Sequence, residues 1–385
     1  MPLLHPVLRR MLRCQSCGAD AWHEHNDSRD ASSGSLECSS CHAHYLVVRG
    51  IPILSASIPG NDGRCLTERA EDDPPVRDLL QARLGGYGGL LGGFAGALEC
   101  VGREPLERAF AVPGAPWITL RRLEMPVFHR VADLFSGVGT LVDLGCGYGA
   151  STLPFVSPER ARAVVGIDEN LFLLLLLQRY CEAKSYDNVA LVCYDLEDLP
   201  YPLRDCSADA VTGVSFFNHF ASLRDRAFVS AFFGEMARIL EPDGNLLLDM
   251  VPNLGHPFPT EINVDAVVSD ASLHALARRV LGILPLRWLP GGISASALWG
   301  AYSLYAALSQ KPSRSHAGFR RDLTKALPEL GVFYLPLDPD GYGKVIDGFR
   351  TVHAFDQARF NATGELTRAH GWSPRTPYFL LRCQR

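Results

Sequence analysis

No apolar run in this 385-residue sequence is long enough to cross a membrane. The longest, residues 171–177 (LFLLLLL), is far short of the ~20 residues that a span requires. It follows a predicted strand and reads as a helix packed on a sheet. The first ten residues, MPLLHPVLRR, lack the continuous apolar core of a secretory signal. A dominant charge of one sign is also missing. Lys and Arg total 37 against 42 Asp and Glu, a net charge of −5, so there is no global basic footprint for nucleic acid. Residues 1–50 hold five arginines, no lysine and five acidic residues. Their sum is zero, and the electrostatic attraction that dominates nucleic-acid affinity is not evident there. There is no internal repeat and no low-complexity tail. These absences predict a cytoplasmic protein without a membrane partner. The length allows two or three domains and a large core.

The 11 cysteines form no disulfide framework. Seven (Cys65, Cys100, Cys146, Cys181, Cys193, Cys206 and Cys383) are scattered, several in predicted strands or helices, where a free thiol behaves as a small buried hydrophobe. That is a reducing-compartment pattern. The other four are ordered: Cys14-x2-Cys17 and Cys38-x2-Cys41, with twenty residues between the pairs. This spacing matches a four-cysteine Zn2+ site. Two knuckles would bring four thiolates into a tetrahedron, and the metal would replace the core that so short a segment cannot build. Structural zinc of this kind contributes on the order of 10–16 kcal/mol of apparent binding free energy. Two disulfides or four idle thiols are the competing readings. His23, His25, His42 and His44 lie nearby and read as surface groups or supports rather than ligands. The continuation through residues 45–54 (YLVVRGIPIL) resembles the closing segment of the small zinc ribbons of the tRNA methyltransferase activator family, over residues 11–55. The resemblance implies a docking or stabilising module fused in cis, with a protein partner through the ribbon left open.

Residues 141–150 (LVDLGCGYGA) read as an apolar strand running into a glycine turn, with a helix beginning at residues 150–152. Glycines here permit positive φ and let a ligand approach the backbone. Strand, glycine turn and helix start make a nucleotide-binding corner. Gly145, Gly147 and Ala150 satisfy the loose dinucleotide pattern. Asp143, two residues before the first glycine, would repel a pyrophosphate and suits a ligand carrying an ammonium group. The spacing Asp143-x-Gly145-x-Gly147-x-Gly149 resembles motif I of the class I S-adenosylmethionine-dependent methyltransferases.

Further segments extend that resemblance across residues 121–252. Residues 163–168 read as a second strand ending in Asp168, placed to take ribose hydroxyls. Residues 189–193 read as a third strand. The resemblance implies that Asp195 receives the adenine amino group and that the Leu196 backbone meets the ring. Residues 209–214 read as a fourth strand. Residues 240–248 (LEPDGNLLL) read as a turn feeding a fifth. The implied cofactor is S-adenosylmethionine, contacted by Asp143, Gly145, Cys146, Gly147, Gly149, Asp168, Asp195, Leu196 and Ser215. The loop after the fourth strand (residues 215–220, SFFNHF) departs from the N-P-P-Tyr and D-P-P-Tyr patterns of many amine and amide methylases. Asn218 and His219 are its candidate catalytic groups. His219 could take a proton from a hydroxyl nucleophile or could merely cap the next helix.

The expected architecture is α/β: a zinc-ribbon domain (1–55), a linker with a helical or lid segment (56–120), a Rossmann-like class I methyltransferase core (121–252), a helical substrate-cap insertion (253–345) and a C-terminal part of the core fold (346–385). Residues 55–78 read as a linker and the glycine-rich residues 85–94 as a connection or a lid. Residues 120–135 carry helical apolar spacing. In the insertion, residues 264–281, 294–308 and 319–327 read as helices. Trp288, Trp299, Tyr302 and Tyr305 there suit a small or medium organic acceptor or plain helix packing. Residues 376–382 read as a closing strand. The competing functions are an RNA methyltransferase that docks substrate through the ribbon, and a non-catalytic scaffold.

Overall fold

The computed structural model describes residues 3–27, 29–60, 64–85, 126–214, 216–217, 226–252, 346, 348–368 and 378–385. The apolar runs of the middle of the chain become parallel strands: β5 (Val138–Leu144), β6 (Ala161–Asp168), β7 (Val189–Cys193) and β8 (Ala208–Gly213). They are covered on both faces, which is why they read as continuous Val/Ile/Leu stretches rather than alternating ones. Val164, Val165 and Ile167 are all fully buried. β9 (Leu240–Pro252) pairs parallel to β8, and β11 (Tyr378–Gln384) pairs antiparallel to β9 and to β10 (Thr351–Asp356). Asp243 takes φ 70° where β9's register against β8 shifts, so the expected turn is a bulge within the strand.

The N-terminal strands continue this sheet. β1 (Trp22–Asn26), β2 (Gly34–Cys38), β3 (His44–Val48) and β4 (Ile51–Ile58) form an antiparallel meander, and β4 meets β7 in parallel through Ile53 and Cys193. The strand order is β1-β2-β3-β4-β7-β6-β5-β8-β9-β11-β10. From β5 the chain steps one way through β6 and β7, then returns to the other side through β8 and β9. The crevice between β5 and β8 is therefore a topological switch point, where open α/β sheets bind ligands.

The described residues of 55–78, expected as a linker, instead lie largely in regular elements. Ser55 and Ile58 belong to β4, and after the N-terminal helix α1 (Pro6–Met11) the next two helices follow here, α2 (Leu66–Asp72) and α3 (Pro74–Leu84). A proline at the first turn of α3 fits the missing N–H. The leucine run opens the helix Leu171–Lys184, capped by the Asn170 side chain on the Leu173 N–H. Leu171 to Leu177 are all buried because this helix is covered twice: the sheet on one face, and Val76, Leu80 and Leu84 of α3 on the other. A helix apolar all round is a buried helix. Each fully buried Leu contributes about 1.5–3 kcal/mol.

The helix expected to begin at residues 150–152 is absent. A turn leads to a single 3₁₀ turn, Leu153–Phe155, because Ser151 and Thr152 turn inward on a buried carboxylate. Of the helix expected over 120–135, Pro126–Asp133 is observed. Ser215, Asn218, His219, the insertion helices and the glycine-rich segment beyond Gly85 lie outside the described residues. Among the described residues no helix is long and apolar enough to cross a membrane.

Candidate functional site

Asp143 is the penultimate residue of the central strand β5 and is fully buried. Its Oδ2 accepts hydrogen bonds from Ser151 Oγ at 2.7 Å and Thr152 Oγ1 at 2.6 Å, while its Oδ1 has no partner among the described residues. Burial raises the carboxyl to about 7; the Thr152 and Ser151 hydroxyls oppose the rise, and the nearby Asp168 adds to it. Thr212, level with Asp143 on β8, is likewise fully buried with an unpartnered Oγ1. Two unsatisfied polar atoms at one level of a sheet are costly unless something occupies them.

The loop after β5 is shaped by backbone geometry. Gly147 sits at φ 51° and donates its N–H to Asp168 Oδ2 at 2.9 Å. Gly149, at φ 98°, lies against the helix Leu171–Lys184; a Cβ there would stand 2.3 Å from Leu177 Cδ1. The Cys146 side chain is buried against Gly166 of β6, so only its backbone can face a ligand. Phe216 packs over Gly145, and Phe217 is anchored between Phe232 and Phe233, at ring distances of 5.4 and 5.8 Å.

Asp168 ends β6, its two oxygens accepting the N–H groups of Gly147 and Asn170 at 2.9 Å each. Burial raises its carboxyl to about 6; the Asn170 and Gly147 N–H groups oppose this, and Glu169 adds to it. Asp195 follows β7, with Oδ1 accepting the Glu197 N–H at 3.0 Å. Leu196 beside it is buried. The structure therefore brings Asp143, the glycine loop, Asp168 and Asp195 to the carboxyl ends of three adjacent strands. The sequence reading missed Ser151, Thr152 and Thr212. The first two carried a signal, since two hydroxyl residues directly follow the glycine loop.

At the other end of the sheet, Cys14, Cys17, Cys38 and Cys41 place their sulfurs within 4.8 Å of one another. Both knuckles are built alike. Gly18 N–H reaches Cys14 O at 2.8 Å and His42 N–H reaches Cys38 O at 2.9 Å, with the residue after each pair left-handed (Gly18 φ 78°, His42 φ 57°). Burial opposes ionisation of Cys14, but hydrogen bonds from Tyr45, Cys17 and Ser16 outweigh it and lower the thiol to about 7. The Ala43 N–H favours the Cys41 thiolate, yet desolvation and the neighbouring cysteines push it up to about 12. Four clustered thiols cannot all ionise without a cation between them, and a divalent metal with sulfur preference fits this donor set. The histidines stand outside it: Glu37 bridges His25 at 3.0 Å and His42 at 2.7 Å.

The fold is that of a doubly wound α/β domain with a ligand crevice at its switch point. Residues 142–248 match the family described as "Methyltransferase domain". No curated protein matches the sequence. Among solved structures, phosphoethanolamine N-methyltransferase 1 of Haemonchus contortus, in complex with phosphoethanolamine and S-adenosylhomocysteine, shares 19% identity over 37% of this chain and 30% of its own, at a TM-score of 0.29. A SAM-dependent methyltransferase of Methanosarcina mazei shares 22% over 32% of this chain and 57% of its own, at 0.27. An S-adenosylmethionine-dependent methyltransferase of Clostridium acetobutylicum shares 15% over 38% of this chain and 56% of its own, at 0.28. The chain spans 30% and 57% of the length of the first two.

Proposed function

We propose that this chain is an S-adenosylmethionine-dependent methyltransferase acting on a small or medium organic acceptor. The observation that carries this reading is Asp143: a fully buried carboxyl at the head of the glycine loop with one oxygen unsatisfied. A pyrophosphate would be repelled there, and no α-helix N-terminus follows the loop to receive one. An ammonium group would satisfy Oδ1 and restore the charge that burial suppresses. The residues fit the group. Asp143 would hold its amino end, the backbone at Gly145, Cys146, Gly147 and Gly149 would line its length, Asp168 would take the ribose hydroxyls, and Asp195 with Leu196 would meet the base. When bound, the cofactor supplies an already activated methyl group, so the protein's task is alignment of the acceptor. Ser215 would add to the cofactor contacts, and Asn218 and His219, in the loop after β8, are the proposed acceptor-side groups, with His219 holding a proton where the nucleophile is a hydroxyl. The four cysteines are proposed to hold structural zinc.

The RNA-docking alternative gains no support from the N-terminal arginines. Arg9 is paired with Glu24 at 2.5 Å and Arg13 with Asp205 at 3.6 Å, so both charges are already answered locally. The test is calorimetric titration of the zinc-loaded protein with S-adenosylmethionine and S-adenosylhomocysteine, with NAD as control. Micromolar binding of the adenosyl ligands, lost in Asp168→Ala, is expected. Absence of binding by folded protein would remove the enzyme reading.

A further inference from the structure

Two contacts from the N-terminal part of the chain, outside the matched residues 142–248, converge on Asp195 within them. Ser55 Oγ, on β4, accepts the Asp195 N–H at 3.2 Å. Arg83 Nη1, on α3, lies 3.6 Å from Asp195 Oδ2 and 3.9 Å from Glu169 Oε2. Arg83 is held in place by its own helix. Leu80 and Leu84 flank it and are buried, and α3 ends at Gly85, against the Asn170 side chain that caps the leucine helix. Its side chain is only 16% exposed, and its Nε–H has no acceptor among the described residues. The guanidinium thus faces the carboxyl ends of β6 and β7, where Glu169, Asp195 and Asp198 gather. Burial raises the Asp198 carboxyl, Asp195 adds to it and Arg83 opposes it. Without a cation there, like charges would drive the Asp195 carboxylate away from its neighbours.

We propose that Ser55 and Arg83 are positioning residues that orient Asp195, so that the N-terminal module completes the base-recognition end of the cofactor site. The inference rests on the cofactor reading above and adds the source of its selectivity. Ser55 fixes the backbone of Asp195, the Glu197 N–H fixes one carboxylate oxygen, and Arg83 draws the other. A carboxylate held in this way accepts from a 6-amino purine and rejects a 6-oxo purine, which offers it only an acceptor.

The test uses the full-length, zinc-loaded protein and two probes, S-adenosylhomocysteine and its deaminated analogue S-inosylhomocysteine. Wild type should bind the adenosyl ligand more tightly. Arg83→Met and Ser55→Ala should weaken it about tenfold, the scale of one charge-assisted hydrogen bond. Both should leave the inosyl ligand nearly unchanged, so that discrimination collapses; Arg83→Lys should retain most of it. Equal losses for both ligands would mean a merely structural role and would overturn the inference, as would unchanged binding in both variants. Wild type that binds both ligands equally would also overturn it while leaving the cofactor reading intact. Wild type that binds neither would fail the cofactor reading itself. Should Arg83→Met not fold, Ser55→Ala and Arg83→Lys keep the test decisive.

Discussion

Replacing Asp143 by Asn should stabilise the ligand-free protein and abolish its ligand. The carboxyl rises from 3.8 to about 7 in the folded chain, with burial the main cause. A carboxyl raised on folding is protonated more readily in the native state, so the native state holds the extra proton between about pH 4 and pH 7. Stability therefore falls as pH rises through that window, and the loss is complete above it. At 1.36 kcal/mol per pH unit, the wild-type chain gives up about 4 kcal/mol by pH 8 relative to pH 4. The Asn amide carries no charge and escapes that loss. It leaves an NH2 where Oδ1 was unpartnered and weakens the hydroxyl bonds of Ser151 and Thr152, a cost of about 1–3 kcal/mol. The balance favours Asp143→Asn by about 1–3 kcal/mol at pH 8 and reverses near pH 4. Urea unfolding across pH 4–8 measures it as a shift in midpoint at constant slope. Parallel curves, with the variant less stable throughout, would refute the reasoning, because they would mean that Asp143 stays charged at no cost. Calorimetry on the same variant should show S-adenosylmethionine binding lost.

Purified protein should carry about one zinc per chain by elemental analysis. Chelation, or Cys41→Ser, should release it and expose the β4 amides to hydrogen exchange, since β4 is joined to β7 through one residue pair; unchanged protection after metal removal would separate the cysteine cluster from the sheet. Gly149→Ala places a Cβ 2.3 Å from Leu177 Cδ1 at φ 98°, and should cost about 2–4 kcal/mol in urea unfolding from overpacking and backbone strain together. A neutral result would mean that the loop and the leucine helix move apart freely.

The parallel strands were legible because burial on both faces leaves a continuous apolar signature, and β5 to β8 stand where residues 141–144, 163–168, 189–193 and 209–214 predicted them. The cysteine knuckles were legible because their ligand spacing is local. The stretch 55–78 was not. Its Ser, Pro, Asp and Glu mark a linker by composition, yet α3 needs only Val76, Leu80 and Leu84 to seat itself on the leucine helix, and that partner lies ninety residues along the chain. Sequence by itself determined the chemistry available: a carboxylate before three spaced glycines, acidic residues at two following strand ends, and four paired thiols, because each is set by spacing within one segment. Only the tertiary structure decided what surrounds them. Ser151 and Thr152 turn onto Asp143 instead of opening a helix, because the carboxylate there is buried in the closed sheet and needs partners, and β4 with Arg83 comes to rest on Asp195, a contact between residues far apart in sequence that arises only when the sheet closes between them.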